Sequence, residues 1–181
     1  MLIGFAGFLR RSEIIGLDIG RRDQTEDGRG WIEIFDMDMV VTLRGKTGRR
    51  ELEIGQGSSD ATRPVVALQS WLTLARIGPG PVFRRVTGKG KEVGPDRLAD
   101  KHVARLVKQA ALAAGVRADR PGGERANKFA GHLLRAGLAS SAEVDERYVQ
   151  RKLGHTAAEM TPHYQRWRDR FGVNPTKTAG L

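Results

Sequence analysis

The chain has 181 residues, 39% of them hydrophobic, enough for one compact domain with a real core. It has no cysteine and four scattered histidines (His102, His132, His155, His163), which excludes a disulfide framework, a thiolate metal site and a zinc helix of the His-Glu-x-x-His kind. Thirty-one Lys and Arg against 21 Asp and Glu give a net charge of +10 and a pI near 10.6, so nucleic acid is the first partner to consider.

In chain order, Leu, Ile and Phe at helical spacing over residues 2–16 predict one helix around Arg10-Arg11-Ser12-Glu13, stopped by Gly16. The opening apolar run precedes the first charges, the reverse of a secretory signal, and no apolar stretch approaches the roughly 20 residues that span a bilayer. A cytoplasmic protein without a membrane partner is expected. Residues 31–35, 39–43 and 51–54 read as strands, the last two joined by the turn Gly45-Lys46-Thr47-Gly48, and together they predict a small three-stranded antiparallel sheet. Helices follow over about 62–77, with apolar positions 65, 68, 71, 72 and 75, and over 96–114, with Gly115 as C-cap. The stretches 88–95 and 119–123 read as loops by their glycine and proline content, and further helices are predicted near 128–140, 145–153 and 162–171. The expected class is α+β, mostly helical, as a single domain over 1–171 with a patternless tail at 172–181.

Individual motifs are weak. Gly45-Lys46-Thr47 is not a phosphate loop, because the glycine required five positions earlier is Val40. A lysine at a hairpin tip is ordinarily a solvated turn residue, although the same geometry can push an ammonium group into a bound polyanion. His132-Leu133-Leu134-Arg135 places a His and an Arg on one helix face, which by itself implies no joint role.

Taken together and in order, Leu9-Arg10-Arg11-Ser12-Glu13, Lys46 in a hairpin turn, His132-x-x-Arg135, Leu153-Gly154-His155 and Tyr164, nine residues beyond His155, resemble the catalytic domain of the tyrosine recombinases, the phage-integrase family. The resemblance spans residues 2 to about 171 and implies a site built from Arg10, Lys46, His132, Arg135, His155 and Tyr164 around one phosphodiester. The position matching the family's first arginine is Arg10, which leaves Arg11 as a DNA-backbone or surface residue; Lys89 and Lys91 are further backbone candidates. Tyr148 precedes Gly154-His155 and reads as a packed helix residue, so Tyr164 is the nucleophile candidate. The further catalytic-domain residues and helical clamping domain that usually precede the first arginine in that family are expected to be missing here.

The resemblance implies strand cleavage by the Tyr164 phenol, a 3′-phosphotyrosine intermediate and religation, with no cofactor or metal. Arginine suits this chemistry because its planar fork donates two parallel hydrogen bonds to phosphate and stays charged at any working pH. Arg10 and Arg135 are the expected pair, with His132 and His155 as further donors and His132 the better placed to accept the tyrosine proton. Lys46, its pKa lowered among cations, would protonate the 5′ leaving oxygen. Glu13, one turn from Arg10, reads as an orienting partner. The implied partner is double-stranded DNA, with self-association on it as a tetrameric synapse. Two alternatives stay open: strand relaxation of the type IB topoisomerase kind, and a DNA-binding fragment without catalysis.

Overall fold

Alternation of apolar and polar residues builds the centre of the molecule. The chain's structure is a computed structural model that describes residues 1–22, 24–45, 48–55, 62–90, 92–116, 118–119 and 121–124. Strands β2 (Gly30–Phe35), β3 (Asp38–Gly45) and β4 (Gly48–Ile54) form the expected antiparallel meander, in which Ile32 faces Val41 and Val41 faces Leu52. These residues, with Met39, Leu43 and Ile54, line one face of the sheet and are buried in the core.

The sheet does not stop there. β1 (Leu17–Ile19) joins the outer edge of β2 in parallel, and β5 (Gly80–Pro81) pairs antiparallel with β1, giving a five-stranded mixed sheet in the order β4-β3-β2-β1-β5. A second sheet pairs β6 (Arg84–Thr87) with β7 (Glu92–Arg97) around a 3₁₀ turn at Gly88–Gly90. Helix and strand are about equal among the described residues, which corrects the expected mostly helical class and its three-stranded sheet. The stretch read as a loop from its composition is a hairpin instead. Gly88 and Gly90 adopt φ of 61° and 89° to turn the chain, and Pro95 is tolerated because both strands of a two-stranded ribbon are edges.

The single helix expected over 2–16 is two: α1 (Leu2–Ala6) and α2 (Arg11–Ile15). The break is at Phe8, whose φ of 51° reverses the chain so that Phe8 and Leu9 are 3% and 0% exposed. A non-glycine residue in that region costs about 1–3 kcal/mol. Burying two large apolar side chains returns roughly 1.5–3 kcal/mol each, so the break is favoured. Helix α3 (Pro64–Leu74) buries Val65 and Leu68, and α4 (Asp100–Ala113) buries Val103 and Val107, followed by Gly115 at φ 67°. α4 begins later than expected because β7 runs to Arg97. α1 packs on α3 and α2 on α4, closing the core over the inner sheet face.

Candidate functional site

The break between α1 and α2 sets up the site. It leaves Arg10 extended (φ −70°, ψ 153°) as the N-cap of α2, with Glu13 in the first helical turn. Arginine has no side-chain acceptor to cap a helix, so Glu13 reaches back instead and accepts the Arg10 backbone N–H at 2.6 Å. The same carboxylate accepts Arg10 Nη1 at 3.1 Å and Arg50 Nη2 at 3.3 Å. One acid therefore bridges two arginines that are 40 positions apart in sequence.

Arg50 comes from β4, opposite Leu43 and on the same inner face as Leu52. Burial pushes its pKa below the ordinary value; the Glu13 charge pulls it up and the Arg10 charge pushes it down again. The Arg50–Glu13 bond has a geometric consequence: it ties the turn end of the β3–β4 hairpin, two pairs from Gly45 and Gly48, to the start of α2. Gly45 and Gly48 close that ladder on either side of residues 46–47.

The Arg10 side chain is 54% exposed, and among the described residues only its Nη1 is engaged. An ion pair this open contributes only about 0–1 kcal/mol to stability, so Arg10 is not explained as a structural strut. Its Nε and Nη2 donors remain available to an anion, as transition-state charge stabilisation requires.

The other expected residues divide clearly. Arg11 points away from Glu13 and pairs with Asp100 of α4 at 3.5 Å. Lys89 lies in the 3₁₀ turn of the separate β6–β7 hairpin. Lys46, Lys91, His132, Arg135, His155 and Tyr164 lie outside the described residues. Arg50 was missed by sequence reasoning, although the signal was present: alternation in Arg50-Glu51-Leu52-Glu53-Ile54 puts an arginine on the apolar side of a strand. Among the described residues no group of His, Asp and Glu side chains is placed to hold a metal ion, and no helix is long and apolar enough to cross a membrane.

A second arginine is a contrast. Arg97, 11% exposed, gives Nε to Asp27 Oδ2 at 3.0 Å, Nη1 to the Ile15 and Leu17 carbonyls at 2.7 and 3.1 Å, and Nη2 to Asp18 Oδ1 at 2.7 Å. Burial works against its charge, but the hydrogen bonds and charges of Asp27 and Asp18 outweigh it and hold its pKa above the ordinary value. This guanidinium is consumed by the fold.

Comparison with known proteins extends the picture past the described residues. No family model matches the chain. It is 32% identical over 166 residues to an integrase/recombinase XerD homologue of Selenomonas ruminantium, covering 90% of this chain and 44% of that protein. It is 29% identical over 159 residues to tyrosine recombinase XerC 1 of Ralstonia nicotianae, covering 86% of this chain and again 44% of the relative. The chain thus spans less than half the length of the curated relatives it matches. Among solved structures, its fold matches the XerH site-specific recombinase in a post-cleavage complex with palindromic difH substrate, at TM-score 0.62 and 18% identity over 99% of this chain and 43% of the other. It also matches the XerA recombinase at TM-score 0.52 and 20% identity, over 90% of this chain and 49% of that one. With a fold that matches those of the XerH and XerA recombinases, this relationship makes the chain homologous to the tyrosine recombinases over most of its length.

Proposed function

We propose that this chain carries the strand-cleaving and rejoining part of a site-specific DNA recombinase. The observation that carries the reading is homology to an XerD homologue over 166 residues and to XerC 1 over 159, 90% and 86% of this chain. The tie from Arg10 through Glu13 and Arg50 to the hairpin bearing Lys46 supports it from the structural side.

In this reading the Tyr164 oxygen attacks the phosphodiester phosphorus, the bond to the 5′ oxygen breaks, and a 3′-phosphotyrosine forms. Lys46 delivers a proton to the departing 5′ oxygen while His132 accepts the phenol proton. Arg10, Arg135 and His155 donate to the non-bridging oxygens as their charge grows. Attack by a 5′ hydroxyl on the phosphotyrosine reverses the step, conserving the bond energy. Duplex DNA is the substrate, and self-association on it would bring two cleaved sites together.

The test is covalent capture. The chain incubated with a nicked suicide duplex should give a protein–DNA adduct on a denaturing gel, and Tyr164→Phe should remove the adduct while DNA affinity stays within about twofold, because only a hydroxyl is lost. An adduct that persists in Tyr164→Phe overturns the assignment. The span of 44% of the relatives favours a second reading, a DNA-binding part without catalysis of its own. Duplex binding with no adduct from the unaltered chain would select it.

A further inference from the structure

The two neighbouring arginines of β4 point to opposite sides of the sheet. Arg50 turns inward to Glu13, whereas Arg49 turns outward, where the ladder sets it directly opposite Arg44 of β3. Like charges facing each other across an antiparallel pair are destabilising, so the pair needs a reason. Both guanidiniums lie over the ring of Trp31 in β2, Arg49 at 5.5 Å and Arg44 at 5.8 Å from its centroid, and Arg21 joins them at 6.0 Å. The indole is only 3% exposed, and its Nε1 donates to Glu33 Oε2 at 2.9 Å, so the ring is held rigidly beneath three cations.

The ring face attracts each cation weakly, by about 0.5–1 kcal/mol at an exposed site, but it cannot neutralise three of them. Among the described residues none of the three guanidiniums has a carboxylate within ion-pair distance, and all three side chains are exposed. The result is three cations gathered at one ring, in net excess over Glu33, the carboxylate that the ring N–H holds beside them. An open cavity of about 660 Å³ beside it, lined by Gly20, Arg21, Arg22 and Glu33, leaves room for a ligand to approach.

We infer that Arg21, Arg44 and Arg49, gathered around Trp31, form a phosphate-docking surface that grips the backbone of duplex DNA beside the β3–β4 hairpin. Charge complementarity selects the occupant. Guanidinium forks match phosphate bidentately, and duplex DNA presents closely spaced phosphates to an exposed hairpin flank. This surface is separate from the Arg10 cluster, which lies on the inner side of the same strand. It rests on the DNA reading given above, and it adds which face of the sheet the duplex meets.

The test is a salt titration of binding between the full chain and a labelled duplex, followed by fluorescence anisotropy. Arg44→Gln/Arg49→Gln should weaken binding by roughly 10- to 100-fold near 0.1 M salt and reduce the log–log salt slope by about 2. The charge-matched control Lys101→Gln/Arg105→Gln, on exposed positions of α4, should retain the original slope to within about half that change. Thermal unfolding of the Arg44/Arg49 variant should be unchanged or higher, because a like-charge pair has been removed; a merely structural pair would melt lower. If it does melt lower, Arg21→Gln, outside the ladder, carries the test and should reduce the slope by about 1. Pair or single variants that bind like the control overturn the surface and leave the DNA reading standing. An unaltered chain with no salt-dependent binding overturns both.

Discussion

Arg10 and Arg97 carry the same guanidinium and are put to opposite uses. Arg97 spends its donors on Asp18, Asp27 and two backbone carbonyls, whereas Arg10 commits one nitrogen to Glu13 and turns the rest to solvent. A residue held on one side and free on the other suits a group that must meet a developing charge without first reorganising. Arg10→Ala should therefore lower the cleavage rate by roughly a hundredfold to a thousandfold, about 3 kcal/mol or more, while leaving the fold nearly as stable. Lys46 has a different expected signature. A substrate with sulfur at the 5′ bridging position leaves readily as thiolate and needs no proton, so it should restore cleavage by Lys46→Ala but not by Arg10→Ala. Cleavage of the sulfur substrate by Lys46→Ala that stays as slow as with oxygen would remove Lys46 from the general-acid role. At this scale the sequence was informative where a motif was local. Arg10 and Glu13 lie three positions apart and could be read as a unit, but Arg50 meets them only through a contact across 37 positions that no local pattern announces.

At the scale of elements, the strands that sequence reading found were those with alternation and a neighbouring turn. β2, β3 and β4 meet their partners within a few residues. β1 and β5 are three and two residues long, and they pair across separations of 61 and 63 positions, so nothing local marks them. What holds β1 in place is an ion-pair node. The loop after β1 folds back so that Asp18 Oδ2 accepts the Thr25 N–H at 2.8 Å, so tightly that a Cβ on Gly28 would lie 2.2 Å from that oxygen. Arg97 at the end of β7 then clamps Asp18 and Asp27 together. Asp27 hydrogen-bonds first to Arg97 and then to Thr25, and its pKa is lowered from 3.8 to about 2. A folded-state pKa below the unfolded one adds stability that is present above about pH 4 and lost as pH falls through about 2. Asp27 is largely exposed, so solvent screening keeps the contribution small. In denaturant titrations, Asp27→Asn should be less stable than the unaltered chain at pH 6, with the gap closing by pH 2. A gap independent of pH would mean that the carboxylate charge is not what the loop uses.

For the whole molecule, the net charge of +10 acts through where it is placed. The inner side of the sheet ends in the Arg10–Glu13–Arg50 cluster, the outer side carries Arg21, Arg44 and Arg49 over Trp31, and the β3–β4 hairpin lies between the two. A duplex lying along that hairpin would meet cations on both flanks, so affinity should come chiefly from phosphate neutralisation and the release of condensed counterions. If about six phosphates are neutralised, log affinity should fall against log salt with a slope of roughly −5 on any sequence, and about two units of that slope belong to Arg44 and Arg49. The two flanks then separate by experiment. Losing the outer pair should shallow the slope while an adduct still forms at DNA concentrations high enough to saturate the protein, whereas losing Arg10 should suppress the adduct at saturation and shift the slope by no more than about 1. A slope near zero for the unaltered chain would show that the basic surface is not what holds the duplex, and the division between a gripping face and a reacting face would fall with it.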